Sequence, residues 1–178
     1  MIKIAGKLIL GSVLISVLSF GYHNSVQAGQ GTPEALAANL VRDIDAKNKA
    51  GVESLIHPQI VSYLRVTDPQ MLANITNSLM QLEIPPEYKM GVISLDELGN
   101  SGMASYDKST KTLTMMGSPA YYKFPPTHLM ALVVETQKTV DVDGNKEIRT
   151  VKVPLTPTPL PIAQYQGNWY IVIAVGKK

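Results

Sequence analysis

The chain has 178 residues, 45% of them hydrophobic, with 16 Lys and Arg against 14 Asp and Glu and no cysteine. The missing cysteines exclude disulfides, thiol catalysis, cysteine-ligated metals and a lipid-modified cysteine anchor. Lys3 and Lys7 precede an apolar run, so the rest of the chain carries 14 charges of each sign and lacks the basic patch that nucleic acid requires.

Residues 1–28 read as an export signal: Lys3 and Lys7 form the charged region, Leu8 to Phe20 the apolar region, and Val26-Gln27-Ala28 the small-residue cleavage site. The apolar run is shorter than the roughly 20 residues of a bilayer span, so cleavage is expected, with the working domain starting at Gly29. A periplasmic or secreted location follows, with the membrane involved only if the leader stays attached. Residues 29–178 suit a single domain able to bury a core.

Thr32-Pro33-Glu34 carries an N-cap, a first-turn proline and a first-turn acid. Leu36, Ala37, Leu40, Val41 and Ile44 then make one apolar helix face, leaving Asn39, Arg42, Asp43 and Lys47 on the polar side. Asn48 to Gly51 reads as a helix stop, and Val52 to Ile56 as a short helix ended by Pro58. Ile60 to Val66 is rich in β-formers and is expected to be a first strand. Asp68-Pro69 opens a second amphipathic helix through Leu72, Ile75, Leu79 and Leu82, closed by Pro85-Pro86.

From Tyr88 onward the pattern is strand. Tyr88 to Leu95 comes first, then a hairpin around Asp107-Lys108-Ser109, Leu113 to Met116 and the long run His128 to Val140. Asp143-Gly144-Asn145 turns into Glu147 to Val153. The chain finishes with Pro159 to Gln166, a Gly167-Asn168 turn and Trp169 to Val175, whose residues 169, 171, 173 and 175 are expected on one face. Prolines at 154, 157, 159 and 161 point to an edge or a bulge.

Helices followed by strands make an α+β domain with N-terminal helices on a curved antiparallel sheet. The order resembles the nuclear transport factor 2-like superfamily, the cystatin-like cone that includes SnoaL-like proteins and ketosteroid isomerases. The likeness rests on residues 36–45 (LAANLVRDID), 52–58 (VESLIHP) and 164–172 (QYQGNWYIV). It implies a cone-like sheet whose mouth admits a small apolar ligand. It also implies, for isomerase-like members, an acidic base with Tyr and protonated-acid oxyanion donors. The first helix has no Tyr or His on its apolar face, which argues against an isomerase.

Tyr63, Trp169, His128 and Tyr165 are the candidate ligand-binding residues: amphipathic rings suit a pocket wall, and His128 opens a strand of apolar neighbours. His57, beside Pro58, reads as a capping histidine. No catalytic residue is assigned, and neither a metal nor a cofactor is expected. Asp141 to Glu147 alternates oxygen ligands, but its glycine stands at position 4 rather than 6 and position 12 is Lys152, so it reads as a hairpin turn. The scattered methionines read as core filler. Asn74-Ile75-Thr76 fits a glycosylation sequon but falls inside a helix.

These features favour an exported, non-catalytic domain that binds a small apolar molecule or an envelope protein, with a second copy of the chain among its potential partners. An enzyme on the same fold, using Asp45 or Asp107 as its acid, is the alternative. So is a secretion-assembly component that keeps residues 1–28 as an anchor.

Overall fold

The computed structural model describes residues 30–99, 104–142, 145–156 and 158–176, apart from the side chains of 99, 140–142 and 145. The expected export signal, residues 1–28, and the turn expected at Asp143-Gly144 lie outside the described residues.

Among the described residues four helices come first: α1 (Pro33–Asp45), α2 (Lys49–Ser54), α3 (Pro58–Thr67) and α4 (Pro69–Met80). Thr32 caps α1 by accepting the Ala35 N–H at 3.2 Å, and Pro33 fills the first turn, where no amide donor is missed. Asp68 caps α4 through the Met71 N–H at 2.9 Å. The apolar periodicity lands where spacing puts it, for Leu36, Ala37, Leu40, Leu72 and Leu79 are all buried.

Three expectations fail here. Residues 60–66 are helix, not strand, because Ile60, Val61 and Leu64 form an apolar stripe that must be buried, outweighing a β-propensity of the order of 1 kcal/mol. Pro58 does not end the short helix; it occupies the first turn of the next one. Asp43, expected in solvent, is 4% exposed: its carboxylate accepts from Arg42 at 3.1 Å and from Asn48 Nδ2 at 3.1 Å, both close in sequence and able to follow it inward.

The strand region holds β1 (Lys89–Ser94), α5 (Leu95–Gly99), β2 (Ala104–Asp107), β3 (Thr112–Met115), β4 (Ser118–Tyr121), β5 (His128–Val142), β6 (Asn145–Pro154), β7 (Leu160–Tyr165) and β8 (Asn168–Ile171). These make two antiparallel sheets rather than one. In the larger, β5 lies between β1 and β7, β8 follows β7, and β6 pairs with β5 alone; β2, β3 and β4 form a separate meander. The helix α5 and the strand β4 are additions to the expected pattern. The last turn is Gln166-Gly167, with φ of 50° and 81°, rather than Gly167-Asn168. β8 ends at Ile171, and the inward turn of Val172, 1% exposed, breaks the expected alternation to Val175.

One core joins the layers. Leu36, Leu40, Ile56, Ile60 and Leu64 from the helices cluster with Leu129, Met130, Leu132 and Ile162 of the larger sheet and Leu113 of the meander. α1 touches both β1 and β8, the outer strands of the main path. A parallel bridge, Ile56 to Ile171, fastens the α2–α3 joint to β8.

Candidate functional site

The double proline Pro125-Pro126 holds the chain extended before β5. The turn between β2 and β3 stands across from it, and together with α5 they enclose a half-open cleft of about 620 Å³. Leu95 and the buried Pro126 supply apolar surface, and Tyr106 is half-buried beside them. Lys108, Lys111 and Asp96 contribute exposed charge, and Ser105 and Thr127 contribute hydroxyls. The lining thus carries two cations and one carboxylate. Burial, and then the charges of Asp107 and Tyr121, raise the Tyr106 phenol above its usual range, so it stays a neutral hydrogen-bonding group.

Behind Thr127 stands a second layer. The Thr127 hydroxyl lies 2.9 Å from His128 Nδ1, and the Trp169 indole packs edge-to-face on the imidazole with centroids 4.9 Å apart. Burial lowers the His128 pKa and the nearby Glu97 and Asp96 carboxylates oppose that shift. Ser94 stands opposite His128 across the β1–β5 register. A Ser-His-Glu grouping is thus present in outline, but its bonds serve another end. Ser94 Oγ accepts the Glu97 N–H at 3.2 Å, and Glu97 Oε2 accepts the Ser94 N–H at 3.1 Å and its hydroxyl at 2.8 Å, which is the capping box of α5.

Of the four sequence candidates, His128 and Trp169 come together, while Tyr165 and Tyr63 stand elsewhere. The register Gln164↔Trp169 and Tyr165↔Asn168 sets Trp169 and Tyr165 on opposite faces of the sheet. Tyr165 joins Phe124 and Tyr170 around His57, whose ring centroid is 4.8 Å from Tyr165 and 5.4 Å from Phe124. Tyr63 lies under the Lys123 ammonium, 3.8 Å from its ring centroid. None of the four lines the cleft; Thr127 links His128 to it. Sequence reasoning does not find the cleft: residues 107–109 read as a hairpin with Asp107 a candidate acid, and Pro125-Pro126 carries no local signal of a site.

His57 holds the N-cap position of α3, but its side chain makes no capping bond. It is 5% exposed, and its Nδ1 has no hydrogen-bond partner among the described residues. Burial lowers its pKa, so the imidazole is held neutral.

The candidate acids are engaged or exposed. Asp107 Oδ1 accepts from the Ser109 N–H, the Ser109 hydroxyl and the Thr110 N–H, which hold its pKa down to about 2 and make it a turn former rather than a base for neutral pH. Asp45 is exposed at the end of α1. Thr76 of the sequon is fully buried, its hydroxyl donating to the Leu72 carbonyl, while Asn74 is exposed. Among the described residues no group of three or more His, Asp or Glu could hold a metal, and no helix is long and apolar enough to cross a membrane. The chain matches no family model, no curated protein and no solved structure.

Proposed function

We propose that this is an exported, non-catalytic binding domain that holds a small, largely apolar molecule bearing one anionic group in the cleft between α5, the β2–β3 turn and Pro125–Thr127. The observation that carries this reading is the cleft: Leu95, Pro126 and Tyr106 offer an apolar bed, Lys108 and Lys111 line it with two cations and Asp96 with one carboxylate, and the neighbouring Asp107 is held by its own turn. Such a division, an apolar wall with a few polar groups to orient the ligand, is what small-molecule sites require. The caps formed by Glu97 and Asp107 support binding over chemistry, because both carboxylates already serve the backbone.

The fold is proposed as a cone-like relative of the nuclear transport factor 2-like superfamily. The helix-then-sheet order supports it, and so does the contact of α1 with both outer strands, as when a sheet curves around a helix. The helix at 58–67 and the separate meander depart from that pattern. The tripartite leader supports work in the periplasm or outside the cell, and the intact mass of the exported protein tests it, a mature start at Gly29 being the expected result.

Calorimetric titration with octanoate, and with 1-octanol as the uncharged control, tests the cleft. Saturable binding of the acid is expected, weakened about tenfold by Lys108→Ala with Lys111→Ala while the alcohol is unaffected. Trp169 fluorescence should shift on binding, through His128 and Thr127. Absence of saturable binding, or binding indifferent to both lysines, would remove the reading.

A further inference from the structure

We infer that β6 is a self-association edge: two copies of the chain join by antiparallel pairing of β6 with β6, in the register that sets Ile148 opposite itself.

β1 covers β5 only over His128–Val133 and β7 only over His128–Met130, whereas β5 and β6 stay paired as far as Val142↔Asn145. Val133 pairs with Lys89 on one side and Pro154 on the other, so β6 lies on the β7 side of β5. From Val134 outward, β5 and β6 form a ribbon with no third strand among the described residues. An isolated two-stranded ribbon is marginal in water. Its free edge presents a row of backbone N–H and C=O groups to any strand that aligns with it.

The side chains decide which strand fits. In a two-fold antiparallel pair the two strands show the same face, so only positions of like parity stand opposite, and one residue meets itself at the axis. Centring the pair on Glu147 or Arg149 opposes like charges at the axis, and Lys146 or Lys152 does the same. Centring on Thr150 sets the apolar Ile148 against Lys152, and centring on Val151 leaves Arg149 opposite Val153. Centring on Ile148 sets Glu147 opposite Arg149 of the second copy, and does so twice. It also brings together two Ile148 side chains, each 72% exposed in a single copy. Opposed charge pairs across strands stabilise, and like pairs cost.

On the face that carries Arg149, the second copy adds an opposite charge beside each guanidinium. Arg149 bonds Glu147 of its own strand at 2.7 Å and stands opposite Lys138 of β5, so two cations share a face with one carboxylate. In the pair each Arg149 stands beside the Glu147 of the second copy as well as its own; the proportion of cations to carboxylates is unchanged, and what is gained is two cross-strand contacts of opposite charge.

Sedimentation velocity over about a hundredfold range of concentration tests this on the purified protein, since a dimer must obey mass action. A concentration-dependent dimer is expected. Glu147→Arg puts cations at both 147 and 149 and Arg149→Glu carboxylates at both, so each variant alone should be monomeric, with circular dichroism reporting that it is folded. Mixed, they should form a heterodimer. The bond within each strand stays broken in both, so recovery measures the pairing between copies. Ile148→Ser should weaken the dimer at least tenfold. A wild-type monomer throughout the range, a dimer indifferent to Glu147→Arg or to Ile148→Ser, or a mixture that stays monomeric would each overturn the proposal.

Discussion

His57 shows how one side chain can make stability depend on pH. Its ring is enclosed by Phe124, Tyr165 and Tyr170, and no described carboxylate bonds to it, so charging it inside the fold has no compensation. Its folded pKa lies below the ordinary 6.5, and the unfolded chain therefore takes up the proton first as pH falls. The contribution is fully present above about 6.5 and is lost as pH falls from there toward the folded value. Urea denaturation from pH 7.5 to pH 5 should show that loss, and His57→Phe should reduce it, leaving the part that His128 contributes in the same direction, at little cost at pH 7.5, because an apolar ring leaves no orphaned polar atom. Equal slopes in both proteins would place the sensitivity elsewhere. Gly51 sets two effects against each other. Alanine in a helix is worth about 1 kcal/mol over glycine, yet a Cβ here would overlap Asn48 Nδ2 and come within 2.6 Å of the Asp43 carboxylate. The part-buried Asp43–Asn48 bond would have to move, at a cost of about 1–3 kcal/mol. Gly51→Ala should therefore destabilise in thermal melts, and a gain in stability would mean that the Asp43 network is loose.

At the scale of elements, signals that name a specific backbone bond outlast propensity. Thr32-Pro33 and Asp68-Pro69 were legible because a cap and a first-turn proline satisfy helix ends whatever lies beyond. The same grammar stands in His57-Pro58, yet Ile60 to Val66 was read by β-propensity, and the apolar stripe at 60, 61 and 64 is what prevails. Ser94-Leu95-Asp96-Glu97 carries a capping box that was legible but overlooked inside a strand-like run. Ser94→Ala should cost about 1 kcal/mol and lower helicity at α5, read by denaturation and by amide exchange of residues 95–98. Unchanged exchange there would show that packing of Leu95 and Leu98 holds the turn without its cap. The candidate site was less legible than the elements. Trp169 and His128 were named and do meet, but Tyr165 falls on the opposite face, because facing in the terminal hairpin depends on a register that one residue of turn length reverses. The cleft is assembled from α5, the β2–β3 turn and the prolines before β5, which are contiguous only in space.

For the whole molecule, the α+β class could be read from helices preceding strands, whereas the division into two sheets could not, since pairing partners are not written in local pattern. What unites the sheets is the core they share. Leu113, in the middle strand of the meander, is fully buried in the same cluster as Leu129, Met130 and Ile162 of the larger sheet. The C-terminal segment adds a second link, since the Val175 N–H donates to the Tyr121 carbonyl at 3.0 Å. A three-stranded meander of four-residue strands buries too little surface to persist alone, so the two sheets should melt together. Leu113→Ala removes a fully buried side chain and should cost about 2–5 kcal/mol. Trp169, the single tryptophan, sits on β8 in the other sheet and so reports from a distance. In Leu113→Ala, the Trp169 fluorescence transition and the far-ultraviolet dichroism transition should shift together to lower denaturant by the same amount. Were the Trp169 transition to stay at its wild-type midpoint while the dichroism shifted, the meander would be a separately folding unit, and the cleft at its border would open and close independently of the sheet behind it.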